Sequence, residues 1–119
     1  MVRKNLTYFS FTETTVFTRH FDKLTRLETL YALQDELISN PRAGSIIKGT
    51  NGARKIRARD VSDMRGKRGS FRCIYLYLEK NELIYLLVFY GKNDQDNLTP
   101  EEKKQVARTV KMIKDAHGE

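Results

Sequence analysis

A single cysteine, Cys73, stands among the 119 residues, which excludes an internal disulfide framework and any zinc site built on several thiolates. The two histidines, His20 and His117, are far apart in sequence, and neither has a neighbour at metal-ligand spacing. No apolar run approaches the length needed to cross a bilayer. The opening MVRKNLTYFSF is basic but lacks the apolar core of a secretory signal. Gly44, Gly49 and Gly52 are not followed by the G-K-[ST] ending that cradles a triphosphate. Nothing groups Ser, His and Asp, or Cys and His, as a nucleophilic site requires, and Cys73 lies in a stretch that reads as a central strand with a buried, inert thiol. These absences leave no support for metal or cofactor chemistry and set the expectation of a cytoplasmic protein.

Apolar residues make up 39% and charged residues 31% of the chain, too much of the first for a disordered tail and too much of the second for a membrane span. The length fits one domain over residues 1–119. The 22 basic and 15 acidic residues give a net charge of +7, and its distribution is uneven. Between Arg54 and Arg72 stand eight basic residues (Arg54, Lys55, Arg57, Arg59, Arg65, Lys67, Arg68, Arg72) and two acids, Asp60 and Asp63, a net of +6. One segment therefore holds nearly all the excess charge, the electrostatic footprint of a nucleic-acid binder. A solvated basic hairpin that serves solubility is the plain alternative, although solubility does not require the charge to be concentrated.

The hydrophobic pattern gives an order of elements. Thr7 to Glu13 alternates around Phe9 and Phe11 as a half-buried strand does. Thr14 to Lys23 fits a short helix with Val16 and Phe17 turned inward. Thr25 and Glu28 have the spacing of a capping box, and Leu27, Leu30, Tyr31, Leu37 and Ile38 would share the buried face of the helix that follows, which Asn40 and Pro41 stop. Pro41 to Gly52 reads as a loop. Ala53 to Arg59 alternates, with Lys55, Arg57 and Arg59 on one face and Arg54, Ile56 and Ala58 on the other. Phe71 to Leu78 and Leu83 to Tyr90 are apolar on both faces, as central strands are, and the short link Glu79–Glu82 makes them an antiparallel hairpin. Thr99, Pro100 and Glu102 open a last helix with an N-cap, an N1 proline and a capping box, and Val106, Val110 and Ile113 mark its buried face. The order predicts an α+β fold: a small antiparallel sheet with two N-terminal helices and one C-terminal helix.

The residues that remain to do chemistry are Lys, Arg and Tyr. Cleaving RNA through its own 2′-hydroxyl needs an in-line 2′-oxygen, stabilisation of charge on the phosphoryl oxygens, and a proton for the departing 5′-oxygen. The planar fork of arginine suits the second task. A lysine among cations holds its proton less firmly, which makes Lys55, flanked by Arg54 and Arg57, the candidate base. Tyr90, ending its strand beside Gly91 and Lys92, can stack on a base or pass a proton. Tyr75, Tyr77 and Tyr85 fit core or sheet-surface aromatics better than stacking platforms. Arg72 alternates with Ile74, Leu76 and Leu78, and a charge in line with a core-facing row must either find a partner or line a site.

The run Gly49-Thr50-Asn51-Gly52-Ala53-Arg54-Lys55-Ile56-Arg57, then Gly66-Lys67-Arg68-Gly69-Ser70-Phe71-Arg72-Cys73-Ile74-Tyr75, Ile84-Tyr85-Leu86-Leu87, Tyr90-Gly91-Lys92-Asn93 and Asp96-Asn97-Leu98-Thr99, resembles in order the RelE superfamily of toxins from type II toxin–antitoxin systems, specifically its HigB-like branch. The resemblance spans almost the whole chain. It implies a RelE-like fold and a ribosome-dependent mRNA endonuclease (mRNA interferase) that needs no metal or cofactor. The partners it implies are the ribosome and mRNA, and a cognate antitoxin, a helix-turn-helix HigA-like protein, with no membrane involved. The family's catalytic lysines align with Lys55 and Arg57, and the arginine of its next strand with Arg72. Two further family positions, an arginine and a tyrosine, fall on Asn93 and Thr99, so this chain departs from the pattern there, and Tyr90 and Lys92 are the substitutes. The expected catalytic set is Lys55, Arg57, Arg72, Tyr90 and Lys92, with Arg54, Arg59, Arg65, Lys67 and Arg68 as RNA contacts. A non-catalytic RNA- or DNA-binding module, or a protein docking an acidic partner, would use the same basic segment.

Overall fold

The structure is a computed structural model describing residues 9–61, 71–91 and 97–119; Arg65, Lys67, Arg68, Lys92 and Asn93, named above, lie outside the described residues. From the N-terminus the elements are β1 (Ser10–Glu13), α1 (Thr15–Leu24), α2 (Leu27–Ser39), β2 (Ser45–Ile46), β3 (Arg54–Ala58), β4 (Phe71–Leu78), β5 (Leu83–Gly91) and α3 (Pro100–His117). A 3-10 turn, Glu79–Asn81, closes the β4–β5 hairpin. The five strands form one sheet in the order β1-β5-β4-β3-β2. Neighbours are antiparallel except β1, which runs parallel to β5. Three helices on a five-stranded mixed sheet match the expected α+β class.

Apolar residues on both faces of β4 and β5 demand cover on both sides, and two cores supply it. On one face, Phe17 and Phe21 of α1 and Leu30, Leu33 and Leu37 of α2 join Ile56, Ala58, Phe71, Cys73, Tyr75, Ile84, Leu86 and Phe89. Phe89 is the hub of this cluster, its ring centroid 4.8 Å from Phe21, 4.9 Å from Phe71 and 5.5 Å from Phe17. On the other face, Val106 and Val110 of α3 join Ile74, Leu76, Leu78, Leu87, Tyr90 and Leu98. Burial pushes the Cys73 thiol far above its ordinary value, so this cysteine is inert, as its strand position implied.

Several local expectations are corrected. Thr25 does not cap α2. The N-cap is Arg26 without a side-chain bond, and the Thr25 hydroxyl is used elsewhere, 2.8 Å from Asp60 Oδ1 and 2.9 Å from Thr29 Oγ1. In α1 the inward residues are Phe17 and Phe21, four apart, which leaves Val16 44% exposed. In α2 the buried stripe is Leu30, Leu33 and Leu37, so Leu27 and Tyr31, at 57% and 56% exposed, point outward, as does Ile38. The loop after Pro41 contains β2, whose Ser45 and Ile46 pair with Lys55 and Arg54. The chain reaches that edge through Gly44, where a Cβ would meet the Lys55 carbonyl oxygen at 2.7 Å and the Tyr75 ring at 2.9 Å. The predicted start of α3 is present in full: Glu102 N donates to Thr99 Oγ1 (3.1 Å) and Thr99 N to Glu102 Oε1 (2.8 Å).

One irregularity governs the site. Tyr75 pairs with Leu86 but Ile74 pairs with Val88, so Leu87 is an extra residue, a β-bulge in β5. Thr14, the N-cap of α1, sits over it. Its hydroxyl donates to the Leu87 carbonyl (2.7 Å) and accepts from Phe17 N (3.0 Å).

Candidate functional site

Alternation along β3 places Lys55 and Arg57 on the α3 side of the sheet and Arg54, Ile56 and Ala58 on the α1–α2 side. Arg57 stands directly opposite Arg72 of β4, and Arg72 directly opposite Tyr90 of β5. Directly paired residues project to the same face, so Arg57, Arg72 and Tyr90 form a transverse row across three strands, roughly 10 Å from end to end at the usual interstrand spacing. Lys55 lies two residues, roughly 7 Å, along β3 from Arg57. Four of the five candidate catalytic residues thus share one surface.

Their environments differ. Arg57 is exposed, whereas Arg72 and Tyr90 are each 7% exposed. Arg72 Nη1 donates to the Phe71 carbonyl (3.2 Å). Lys55 Nζ donates to Oδ1 of Asn97 (2.7 Å), two residues before the α3 N-cap. Two arginines paired across the ladder put two cationic side chains on one sheet face, an arrangement suited to an anion with two or more oxygens.

Other candidates are placed apart. Arg54 pairs with Tyr75 on the opposite face, and its Nη1 donates to the carbonyls of Gly44 (2.7 Å) and Arg42 (3.2 Å). Arg59, one residue past β3, is exposed. Just after it, Asp60 Oδ1 accepts from Thr25 (2.8 Å) and Thr29 (3.1 Å), and Val61 N donates to the Thr29 hydroxyl (3.2 Å). This knot ties the chain leaving β3 to the α1–α2 junction. Thr99 has the structural task of capping α3. Tyr75, Tyr77 and Tyr85 have structural surroundings, as expected. Tyr75 is fully buried, donating to the Pro41 carbonyl (2.7 Å) and accepting from Gly44 N (2.9 Å). Tyr77 lies under the Arg42 guanidinium, and Tyr85 bonds His117 (3.1 Å).

Two site residues escaped the sequence reading of roles. Asn97 and Lys103 join Lys55, Ser45, Ile47 and Leu98 in lining a cleft of about 380 Å³ between the β2–β3 edge and the start of α3. Asn97 is separated from Lys55 by 42 positions, and no spacing rule links residues so far apart.

Comparison with known proteins fits this architecture. The free E. coli RelE toxin, in a double arginine-to-alanine mutant, superposes with a TM-score of 0.57 at 17% identity, covering 88% of this chain and 98% of that one. The isolated E. coli RelE toxin gives 0.53 at 15% identity, covering 86% and 99%. The toxin of the intact E. coli RelBE toxin–antitoxin complex gives 0.52 at 16% identity, covering 71% and 96%. At these identities the likeness establishes the fold. The family model for the RelE toxin of the RelE/RelB toxin–antitoxin system matches residues 14–119, and the chain belongs to that family of toxins.

Proposed function

We propose that this toxin is a ribosome-dependent mRNA endonuclease of the HigB-like branch, acting in the cytoplasm and cutting message without a metal ion. The observation that carries the reading is the row Arg57–Arg72–Tyr90 with Lys55 beside it on one face of the sheet. In this reading Arg57 and Arg72 clamp the scissile phosphate with charge-assisted, two-pronged bonds. Lys55 is the base that takes the proton of the 2′-hydroxyl. The 2′-oxygen then attacks phosphorus, the bond to the 5′-oxygen breaks, and Tyr90 or Lys92 gives that oxygen a proton. The products are a 2′,3′-cyclic phosphate and a free 5′-hydroxyl. The hydrogen bond from Lys55 to Asn97 fixes the lysine's direction, as a group acting on one particular oxygen requires.

Arg59, Arg65, Lys67 and Arg68 contact ribosomal or messenger RNA backbone in the same reading, so binding weakens as salt rises. The cognate antitoxin, a helix-turn-helix HigA-like protein, covers this cationic face. The test is translation of a defined message in a purified system, with its ends mapped. Cleavage at discrete positions on translating ribosomes, lost in Lys55→Ala while the far-ultraviolet spectrum is retained, supports the reading. Slowed translation with no new ends identifies a passive RNA binder and overturns it.

A further inference from the structure

Apart from Lys55 and Asn97, the cleft beside Lys55 has no role in the mechanism above, yet its chemistry is specific. Lys55 and Lys103 supply two cations, Ser45 and Asn97 supply short polar groups, and Ile47 and Leu98 supply apolar surface. No carboxylate of the described residues lines it. Glu102, in the first turn of α3, has its carboxylate turned back onto Thr99 N. Lys103 stands one residue further on, near the positive end of an 18-residue helix, where a cation is electrostatically disfavoured. Its neighbour across the cleft is also a lysine. A concavity of about 380 Å³, within the roughly 300–1,000 Å³ range of small-ligand sites, therefore combines two lysines with one apolar wall. That composition fits a nucleotide, whose phosphate is anionic and whose ribose and base present flat, largely apolar faces.

The position of the cleft also gives a direction. The Arg57–Arg72–Tyr90 row lies on one side of Lys55, and the cleft adjoins Lys55 on the β2 and α3 side. If Lys55 receives the proton of the attacking 2′-hydroxyl, the ribose bearing that hydroxyl is the one next to Lys55, and the leaving 5′-oxygen points toward Tyr90. The RNA then runs from the cleft to the row in its 5′ to 3′ sense. We infer that the cleft is the subsite for the nucleotide on the 5′ side of the cut, with Lys103 holding that nucleotide's own 5′-phosphate, the first phosphate upstream of the scissile one. The inference rests on the endonuclease reading and adds to it a second phosphate contact, a residue that makes it, and a strand polarity.

The experiment uses the full-length toxin on ribosomes translating a synthetic message whose cleavage position has been mapped. A methylphosphonate, which removes the negative charge, replaces either the first phosphate upstream of the cut or the first one downstream. Lys103→Gln removes the cation while keeping a good helix former, and Lys103→Arg restores it. For a charge-assisted contact of ordinary strength the upstream methylphosphonate slows wild-type cleavage roughly tenfold, as does Lys103→Gln on the natural message. Combining the two slows it no further, since both remove the same contact. Lys103→Arg recovers most of the rate and regains sensitivity to the upstream substitution.

Three results overturn the inference. Wild-type cleavage that is indifferent to the upstream methylphosphonate removes the phosphate contact. Losses that multiply in the combination separate Lys103 from that phosphate. Coupling of Lys103 to the downstream phosphate instead reverses the polarity. In each of these the wild-type protein still cuts message, so the endonuclease reading survives; a wild-type protein that cuts nothing overturns both.

Discussion

Replacing Arg57 by glutamine separates stability from activity in opposite directions. Arg57 and Arg72 stand directly opposite each other in the β3–β4 ladder, and like charges in that relation are destabilising. Because Arg57 is exposed, solvent screens the repulsion, and about 0.5 kcal/mol is the appropriate share. For 119 residues the entropy of unfolding is about 0.25 kcal/mol per kelvin, so Arg57→Gln raises Tm by about 2 °C. Thermal unfolding followed by circular dichroism at low and high salt checks the cause. The screening length falls from about 30 Å at 0.01 M to about 3 Å at 1 M, so the advantage is clear at the first and vanishes at the second. Inorganic phosphate stabilises the wild type more than the variant, because an anion over the row binds the native state only. Message cleavage falls about 100-fold or more, the usual consequence of removing a donor from a developing charge. A variant less stable than wild type in 0.01 M salt, or a stability gap unchanged at 1 M, refutes the repulsion, and undiminished cleavage refutes the phosphate clamp.

Tyr75→Phe leaves the buried Gly44 N–H and Pro41 carbonyl without their partner, which costs roughly 1–3 kcal/mol in urea unfolding at neutral pH. Burial, the leading cause, holds the Tyr75 phenol above its ordinary 10.0, and Tyr77 is raised for the same leading reason. The fold therefore favours the protonated phenols: their contribution is complete below pH 10.0 and is lost as pH rises through the higher folded values. Alkaline titration of stability is flatter in Tyr75→Phe than in the wild type. Gly44→Ala drives a methyl to 2.7 Å from the Lys55 carbonyl oxygen and 2.9 Å from the Tyr75 ring, so it lowers stability by roughly 1–3 kcal/mol. It lowers cleavage as well, because the strand that must shift carries Lys55. Thr14→Val removes the N-cap of α1 and the bond to Leu87 together, costing roughly 1–2 kcal/mol.

How much was legible in the sequence follows from which signals are local. β4 is legible to the residue, Phe71–Leu78, because a strand buried on both faces leaves a continuous apolar run with clear ends. The start of α3 was equally clear, because Thr99, Pro100 and Glu102 act on one another within a single turn. The faces of β3 followed from alternation alone, which put Lys55 with Arg57 and Arg54 with Ile56. What failed depended on distant partners. Thr25-x-x-Glu28 has the spacing of a capping box, but Asp60, 35 positions away, is also within reach of the Thr25 hydroxyl. The apolar residues of α2 spread over two overlapping stripes, and the sheet selects the one through Leu33. β2 has two residues, too few for any periodicity, and the parallel pairing of β1 depends on where α1 and α2 return the chain.

The least legible feature matters most for the site. In the β4–β5 hairpin, Leu78 faces Leu83 and Tyr75 faces Leu86; continued without a break, that register would set Arg72 against Phe89. Tyr90 would then project to the face opposite Arg72, because a slip of one residue exchanges the faces of a strand. The extra residue Leu87 moves the register by one, so Phe89 turns into the aromatic cluster of the α1–α2 core and Tyr90 turns to the cationic row. A bulge leaves a strand residue out of the ladder, and here the carbonyl of that residue is taken by the Thr14 hydroxyl, which also starts α1. The first helix, by packing Phe17 and Phe21 against Phe89, holds the shifted register from the other side of the sheet. The placement of Tyr90 beside Arg72 is therefore enforced by a helix that never touches the site face, and a lesion at Thr14 should reach the chemistry through the register of β5 as well as through stability.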